Sequence, residues 1–484
     1  MMKIRIIIPI CCVFFCCCML SSCSETPVTK KPNILLICID DLRPELKSFG
    51  AEYINSPNID GLAEIGVSFQ NHFVNAPSCG PSRYTLLTGQ YGFAANNALF
   101  QRAAKIAAGV AIDPSMPEWF RTHGYTTVSV GKVSHHPGGR GGVDWNDSRF
   151  IEIPQAWDKQ LMPVAEWEHP RGMMHGLAHG EIRANSSEMD VFQSVEGDDK
   201  IYPDGVITEE ALKQLTALTA INEKPFFLAV GIIKPHLPFG APKTYLDRYK
   251  DVEFPAIEHP QKPAGRTTWH ASGEFKQYNR WGKNPNTDAV FADQLRRHYA
   301  ACVSYADVQV GKILAELERT GAAKNTIVLL WGDHGWHLGE HAIWGKHSLF
   351  EESLHAPLII YDPRMKRKGA TTYAIVETLD IFPTLCDLTG LKIPAFAQGV
   401  SLRKIVEYPN TSGHPAVAYK ENASTIRTAT HRMTLHKDGF VELYDHTTVE
   451  KETKNVADKY PELVEELKQA LKIKMTNKTT AYNK

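Results

Sequence analysis

The chain has 484 residues, 43% hydrophobic and 22% charged, with a formal net charge of −1. That length holds one large domain and a smaller one, and the composition is that of an ordinary globular protein. Near-neutral charge leaves no basic field, which excludes nucleic acid as a partner; a polyanionic ligand would have to be met by local Lys, Arg and His. Six of the ten cysteines lie at or before Cys23. The other four, Cys38, Cys79, Cys302 and Cys386, are too scattered for a disulfide framework or a cysteine-rich zinc site.

Met1 to Arg5 is short and basic, and Ile6 to Leu20 is an apolar run too short to span a bilayer comfortably. Leu20-Ser21-Ser22-Cys23 resembles a bacterial lipobox, with an ordinary secretory signal as the alternative. The expectation is a lipoprotein signal peptide over residues 1–22, lipidation at Cys23, and a polar, Pro-containing tether over residues 23–31.

Asn33 to Ile39 is an unbroken apolar run, the pattern of a central parallel strand covered on both faces. It ends in Asp40-Asp41, two carboxylates that are awkward at the end of a buried strand unless a cation neutralises them. The bland alternative is a solvated turn. Ser56 to Ala63 predicts a capped helix start and Val67 to Phe69 a short strand, leading to Ser78-Cys79-Gly80-Pro81-Ser82-Arg83. If a helix starts there, Cys79 lies at its positive N-terminus and Arg83 reaches back towards it; a lone buried cysteine is the plain alternative. Tyr125 to Lys132 is a β-branched strand that delivers Lys132, then His135 and His136.

Residues from about Arg140 to Pro203 have weak periodicity and predict loops that shape a pocket. Pro225 to Gly231 is a further buried strand, running into His236 held between Pro235 and Pro238. His298 to Leu317 predicts a covering helix, and Thr326 to Trp331 another central strand, ending in Asp333-His334. His337 and His341 have the i, i+4 spacing that suits zinc on a helix, but Gly335 and Gly339 argue against a helix, which sets zinc aside. Ala356 to Tyr361 predicts a strand and Thr378 to Leu385 a helix. Beyond about Pro394, short alternating strands (Ala416 to Lys420, Thr425 to Thr430, Met433 to His436, Val441 to Tyr444) precede a polar helix from Tyr460 to Lys474.

Cys79-x-Pro81-Ser82-Arg83 followed by Thr88-Gly89 resembles the signature of the type I, formylglycine-dependent sulfatases. Asp40-Asp41 and Gly131-Lys132-x-x-His135 resemble further sulfatase motifs, and Lys234-Pro235-His236-x-Pro238-Phe239 and Gly332-Asp333-His334-Gly335-Trp336, continued to Lys346, are similar to the iduronate-2-sulfatase branch, in its bacterial uronate-2-O-sulfatase form. Gly80 departs mildly, standing where the family more often has a larger small residue.

The resemblance implies an α/β, alkaline-phosphatase-like sulfatase fold. A large, mostly parallel central sheet flanked by helices would form a catalytic domain over residues 32–393. A small C-terminal antiparallel sheet subdomain would follow over residues 394–484.

It also implies oxidation of Cys79 to formylglycine by a sulfatase-maturing enzyme, and one calcium ion held by Asp40, Asp41, Asp333, His334 and the modified Cys79. Arg83, Lys132 and Lys346 would hold the sulfate's charge, and His236 would protonate the leaving oxygen. Asp333 would help activate the nucleophile, and His135 would take a proton from the second hydroxyl. His136, His337 and His347 would contact the sugar. The implied substrate is a sulfated oligosaccharide bearing the 2-O-sulfate of an unsaturated or saturated uronic acid, from heparin, heparan, chondroitin or dermatan. The implied location is the bacterial envelope, periplasm or outer-membrane surface, touching membrane through the lipid alone. The rival functions are a phosphodiester or phosphonate monoester hydrolase of the same superfamily, and a non-catalytic glycan-binding lipoprotein.

Overall fold

In the computed structural model, residues 30–137, 151–182, 185–221 and 223–482 are described, and Lys31–Lys484 forms one compact unit. The signal segment, Cys23 and most of the tether lie outside the described residues.

The apolar runs become strands. Among the described residues the main sheet has eight: β1 (Asn33–Ile39), β2 (Val67–Phe73), β3 (Thr126–Gly131), β4 (Lys159–Leu161), β5 (Phe226–Ile232), β6 (Thr326–Gly332), β7 (Leu358–Tyr361) and β8 (Ala370–Glu377), in the order β8-β2-β7-β6-β1-β5-β3-β4. All neighbouring pairs are parallel except those made by β7, which runs antiparallel to both β2 and β6. In β1, Leu35, Ile37 and Ile39 enter one core while Ile34, Leu36 and Cys38 enter the other. An unbroken apolar sequence is what a strand covered on both faces requires.

Helices α1 (Pro57–Ile65), α3 (Pro203–Ile221) and α4 (Ala289–Arg319) cover the first face; α2 (Cys79–Thr88) and α5 (Ile381–Leu388) cover the second. The long loop expected from Arg140 to Pro203 is more ordered where it is described: it contributes β4 and a short helix, Pro170–His175.

Towards the C-terminus, β9 (Ala416–Lys420), β10 (Ala423–Arg427), β11 (His431–His436) and β12 (Val441–Asp445) form an antiparallel meander. Helix α6 (Pro461–Tyr482) packs Val464, Leu467 and Leu471 against Ile426, Met433 and Leu443 of that sheet. Among the described residues, no helix is long and apolar enough to cross a membrane.

Candidate active site

The register of the parallel strands makes the site. Ile39 pairs with Gly332 and Ile232, and Gly131 pairs with Gly231, so four carboxyl ends stand in line. The ladder runs one residue further: Asp333 N donates to Ile39 O at 3.1 Å, Asp40 N to Ile232 O at 3.1 Å, and Lys132 N to Gly231 O at 3.0 Å. Asp40-Asp41, Asp333-His334, Lys132 and the His236 loop therefore leave one edge together, where open α/β sheets collect ligands. Gly231 is needed there, because a Cβ would stand 2.0 Å from the carbonyl carbon of Lys132.

Cys79 opens α2 after Ser78, which caps the helix in extended backbone. Its Sγ lies 3.3 Å from Asp40 Oδ1, 3.2 Å from His334 Nε2, 3.3 Å from Lys346 Nζ and 4.0 Å from Lys132 Nζ. The departure at Gly80 has a local reason: a Cβ would fall 2.3 Å from Asn96 Cα, while Gly80 N donates to Asn96 Oδ1 at 3.1 Å. One turn on, Arg83 is wholly buried, with Nε 3.0 Å and Nη2 2.9 Å from Asp333 Oδ2 and Nη2 3.4 Å from Asp40 Oδ1. Its Nη1 donates to the carbonyls of Lys132 and Val133. The same residue thus fixes two carboxylates and the loop that carries Lys132.

Lys132 Nζ is paired with Asp40 Oδ2, and Lys346 Nζ with Asp41 Oδ1 at 2.8 Å. Burial would raise Asp40, but Lys132, His236 and Arg83 hold it well below the usual carboxylate range. Asp41 is pushed well above that range by burial, despite Lys346. Burial and the neighbouring Asp40 charge raise Asp333 to about 7. Against its burial, Lys346 is held well above the ordinary lysine value by Asp41, Cys79 and Glu274. Removing that cation from beside Sγ in Lys346→Ala is expected to lower kcat/KM for a sulfate ester by about 10²–10³-fold, read by steady-state kinetics.

The donor set fits a hard cation. Asp40, Asp333, His334 and Cys79 present donor atoms within 4.8 Å of one another, all buried. Asp41 Oδ2 is buried without a hydrogen bond although Oδ1 is paired. An orphaned carboxylate oxygen among acidic neighbours is what an oxygen-seeking divalent ion would satisfy.

The remaining residues stand around this cluster. His236 is 3% exposed, and its Nδ1 lies 2.6 Å from Leu237 O, which makes Nδ1 the protonated nitrogen and leaves Nε2 towards Glu274 at 3.7 Å. Burial, with Lys132 and Lys346 nearby, pushes its basicity well down. The rings of His135 and His136 meet edge to face at 4.4 Å, and His136 N donates to Glu152 Oε2 at 2.5 Å. His347 is partly exposed, its Nε2 3.2 Å from Glu274 Oε2.

His337 is buried, and its Nε2 lies 2.9 Å from Ser348 Oγ. Glu274, which the sequence did not single out, joins the site, 3.7 Å from Lys346 Nζ. It sits on the single turn Gly273–Lys276, outside any strand or motif, and nothing in the local pattern marked it.

The sulfatase family model matches residues 32–391, and the model described as N-sulphoglucosamine sulphohydrolase, C-terminal, matches residues 339–480. The chain belongs to the sulfatase family, whose members hydrolyse sulfuric esters. Iduronate 2-sulfatase of Homo sapiens is 32% identical over 415 residues, covering 77% of this chain and 72% of that protein. Within the family the chain stands in the iduronate-2-sulfatase-like branch.

Among solved structures, a protein in complex with its substrate D-glucosamine-2-N,6-O-disulfate matches with a TM-score of 0.70 at 21% identity, covering 93% of this chain and 99% of that one. A phosphonate monoester hydrolase of Agrobacterium radiobacter matches with a TM-score of 0.73 at 21% identity, covering 93% and 96%. The architecture is the alkaline-phosphatase-like sulfatase fold, with its large mixed sheet and small antiparallel C-terminal sheet.

Proposed function

We propose that the chain removes the 2-O-sulfate of a uronic acid in glycosaminoglycan-derived saccharides, with a formylglycine made from Cys79 and one calcium ion. The carrying observation is the set of groups gathered within 3.3 Å of Cys79 Sγ: Asp40, His334 and Lys346. Sγ marks where the oxygens of the modified side chain would lie. The unmodified thiol is a poor nucleophile here, because burial and Asp40 push it well above the ordinary cysteine value.

Asp40, Asp41, Asp333 and His334 would hold the calcium ion, which supplies a fixed positive charge for the sulfate oxygens when bound. The formylglycine hydrate supplies one hydroxyl to attack sulfur and a second that expels sulfate afterwards. Lys132, Lys346 and Arg83 hold negative charge in a site nearly closed to water, where such charges act most strongly. Asp333 Oδ2, oriented by Arg83, helps draw the proton from the attacking hydroxyl. His236 takes up a proton on Nε2, an uptake that the Glu274 carboxylate favours against the ring's burial, and passes that proton to the leaving sugar oxygen. His135 takes the proton of the second hydroxyl, and His136 and His347 approach the sugar. The uronate reading is supported by the 32% identity to an iduronate 2-sulfatase. The lipobox-like Leu20-Ser21-Ser22-Cys23 supports anchoring through a lipid on Cys23 in a bacterial envelope.

The test measures the mass of the Cys79 peptide, then turnover of 2-O-sulfated, 6-O-sulfated and N-sulfated disaccharides and a phosphonate monoester. Conversion of the thiol to aldehyde, with preference for the 2-O-sulfated uronate, is expected. Full activity with an unmodified thiol, or faster phosphonate hydrolysis, would sink the reading. Calcium adds a second expectation: raising it to about a hundred times its Kd should stabilise the fold by about 2.7 kcal/mol over chelated protein, read as a rise in thermal midpoint.

A further inference from the structure

One charged residue of the His236 loop takes no part in the sulfate chemistry. Lys234 opens the run Lys234-Pro235-His236-Leu237-Pro238-Phe239 and lies wholly inside the protein. The lysines beside Cys79 Sγ are Lys132 and Lys346. A buried ammonium is costly unless its charge is met. Among the described residues Lys234 makes no ion pair; its Nζ donates to Pro238 O at 2.6 Å and to His236 O at 3.4 Å. The charge is spent on the backbone on either side of Leu237.

Between those two carbonyls stands the one that orients the ring. Leu237 O lies 2.6 Å from His236 Nδ1, which keeps a proton on Nδ1 and leaves Nε2 towards Glu274 Oε1 at 3.7 Å. Pro235 and Pro238 have no amide hydrogen, so the loop has few backbone donors of its own. The amide of His236 is used by Ile233 O at 3.0 Å. An ammonium carries three donors on a flexible stem, and here it reaches two carbonyls of one short loop.

The base of Lys234 is fixed in turn. Strand β5 ends at Ile232, and the next two amides turn to Asp204, a wholly buried carboxylate in the first turn of α3. Its Oδ1 accepts from Ile233 N at 2.7 Å and its Oδ2 from Lys234 N at 2.8 Å. A carboxylate thus fixes where the loop leaves the sheet, and an ammonium fixes the carbonyls that flank the imidazole's partner.

We propose that Lys234 is a positioning residue for proton transfer to the leaving oxygen. It holds the carbonyls of His236 and Pro238 so that Leu237 O keeps His236 Nε2 aligned, and Asp204 seats Lys234. The proposal rests on the reading of His236 as the group that protonates the leaving sugar oxygen. Action through His236 has a signature that a general loss of structure lacks. A sugar oxygen leaves readily only when protonated, whereas 4-nitrophenolate is a stable anion and leaves unaided.

The test compares Lys234→Met, His236→Ala and the double variant in the active enzyme. The substrates are the sulfated disaccharide that the parent turns over fastest and 4-nitrophenyl sulfate. Lys234→Met should lower kcat for the disaccharide by about 10²-fold with KM changed by less than about 3-fold, and kcat for the aryl ester by less than about 3-fold. His236→Ala should show the same split more strongly. The double variant should be no slower than His236→Ala, because residues that act as one unit are not additive. Equal losses on both esters in Lys234→Met would overturn the proposal, as would full multiplication of the two effects in the double variant. Equal losses on both esters in His236→Ala would instead sink the reading of His236, and the proposal with it. Circular dichroism establishes folding. If Lys234→Met does not fold, Asp204→Asn, which keeps the size but not the charge that holds both amides, should give the same split, and equal losses there would overturn the proposal.

Discussion

Cys79→Ser is expected to abolish turnover of sulfate esters, lowering kcat by on the order of 10⁴-fold or more. Serine keeps one hydroxyl at the helix N-terminus, among Asp40, His334 and Lys346. It can accept the sulfuryl group once, but carries no second hydroxyl to release it. The variant should therefore show one slow, stoichiometric release of the sugar alcohol and then stop, with mass spectrometry finding a sulfated Ser at position 79. Multiple turnovers by this variant would refute the gem-diol logic while leaving the fold assignment untouched.

The second large effect is on stability. Arg83 is fully buried and meets the carboxylates of Asp40 and Asp333. Arg83→Leu fills much of the same volume but strands those charges, together with the carbonyls of Lys132 and Val133 that its Nη1 serves. Removing one member of such a buried network costs about 3–5 kcal/mol, which chemical denaturation would read as a lower midpoint. Saturating calcium should recover part of the loss by neutralising the same carboxylates, and chelation should deepen it.

Much of the site was legible because parallel strands write their ends plainly. The runs Asn33 to Ile39 and Thr326 to Trp331 are apolar throughout, and each stops close to acidic residues. The register then brings Asp40 and Asp333 side by side. Elements held by tertiary context were less visible. In β8 exposed and buried residues mix irregularly, and a register shift falls between Thr372 and Ile375, so no period marks it as a strand. Helix α4 starts at Ala289, nine residues before the apolar pattern becomes evident at His298. Glu274 belongs to the site through distances alone, on a turn far along the chain from every strand end.

The hydrogen bonds that extend the central ladder beyond its strands also set a timescale. The amides of Asp40, Asp333 and Lys132 are bound to Ile232, Ile39 and Gly231 in the middle of the molecule. Such amides exchange with solvent only when the sheet itself opens, an event that draws on most of the global stability. The groups that would grip a sulfate therefore do not fluctuate separately from the core, and a saccharide arriving at this edge meets a surface already set. Adaptation to different sugars is left to the rim, where His347 is partly exposed and Glu274 rests on a single helical turn.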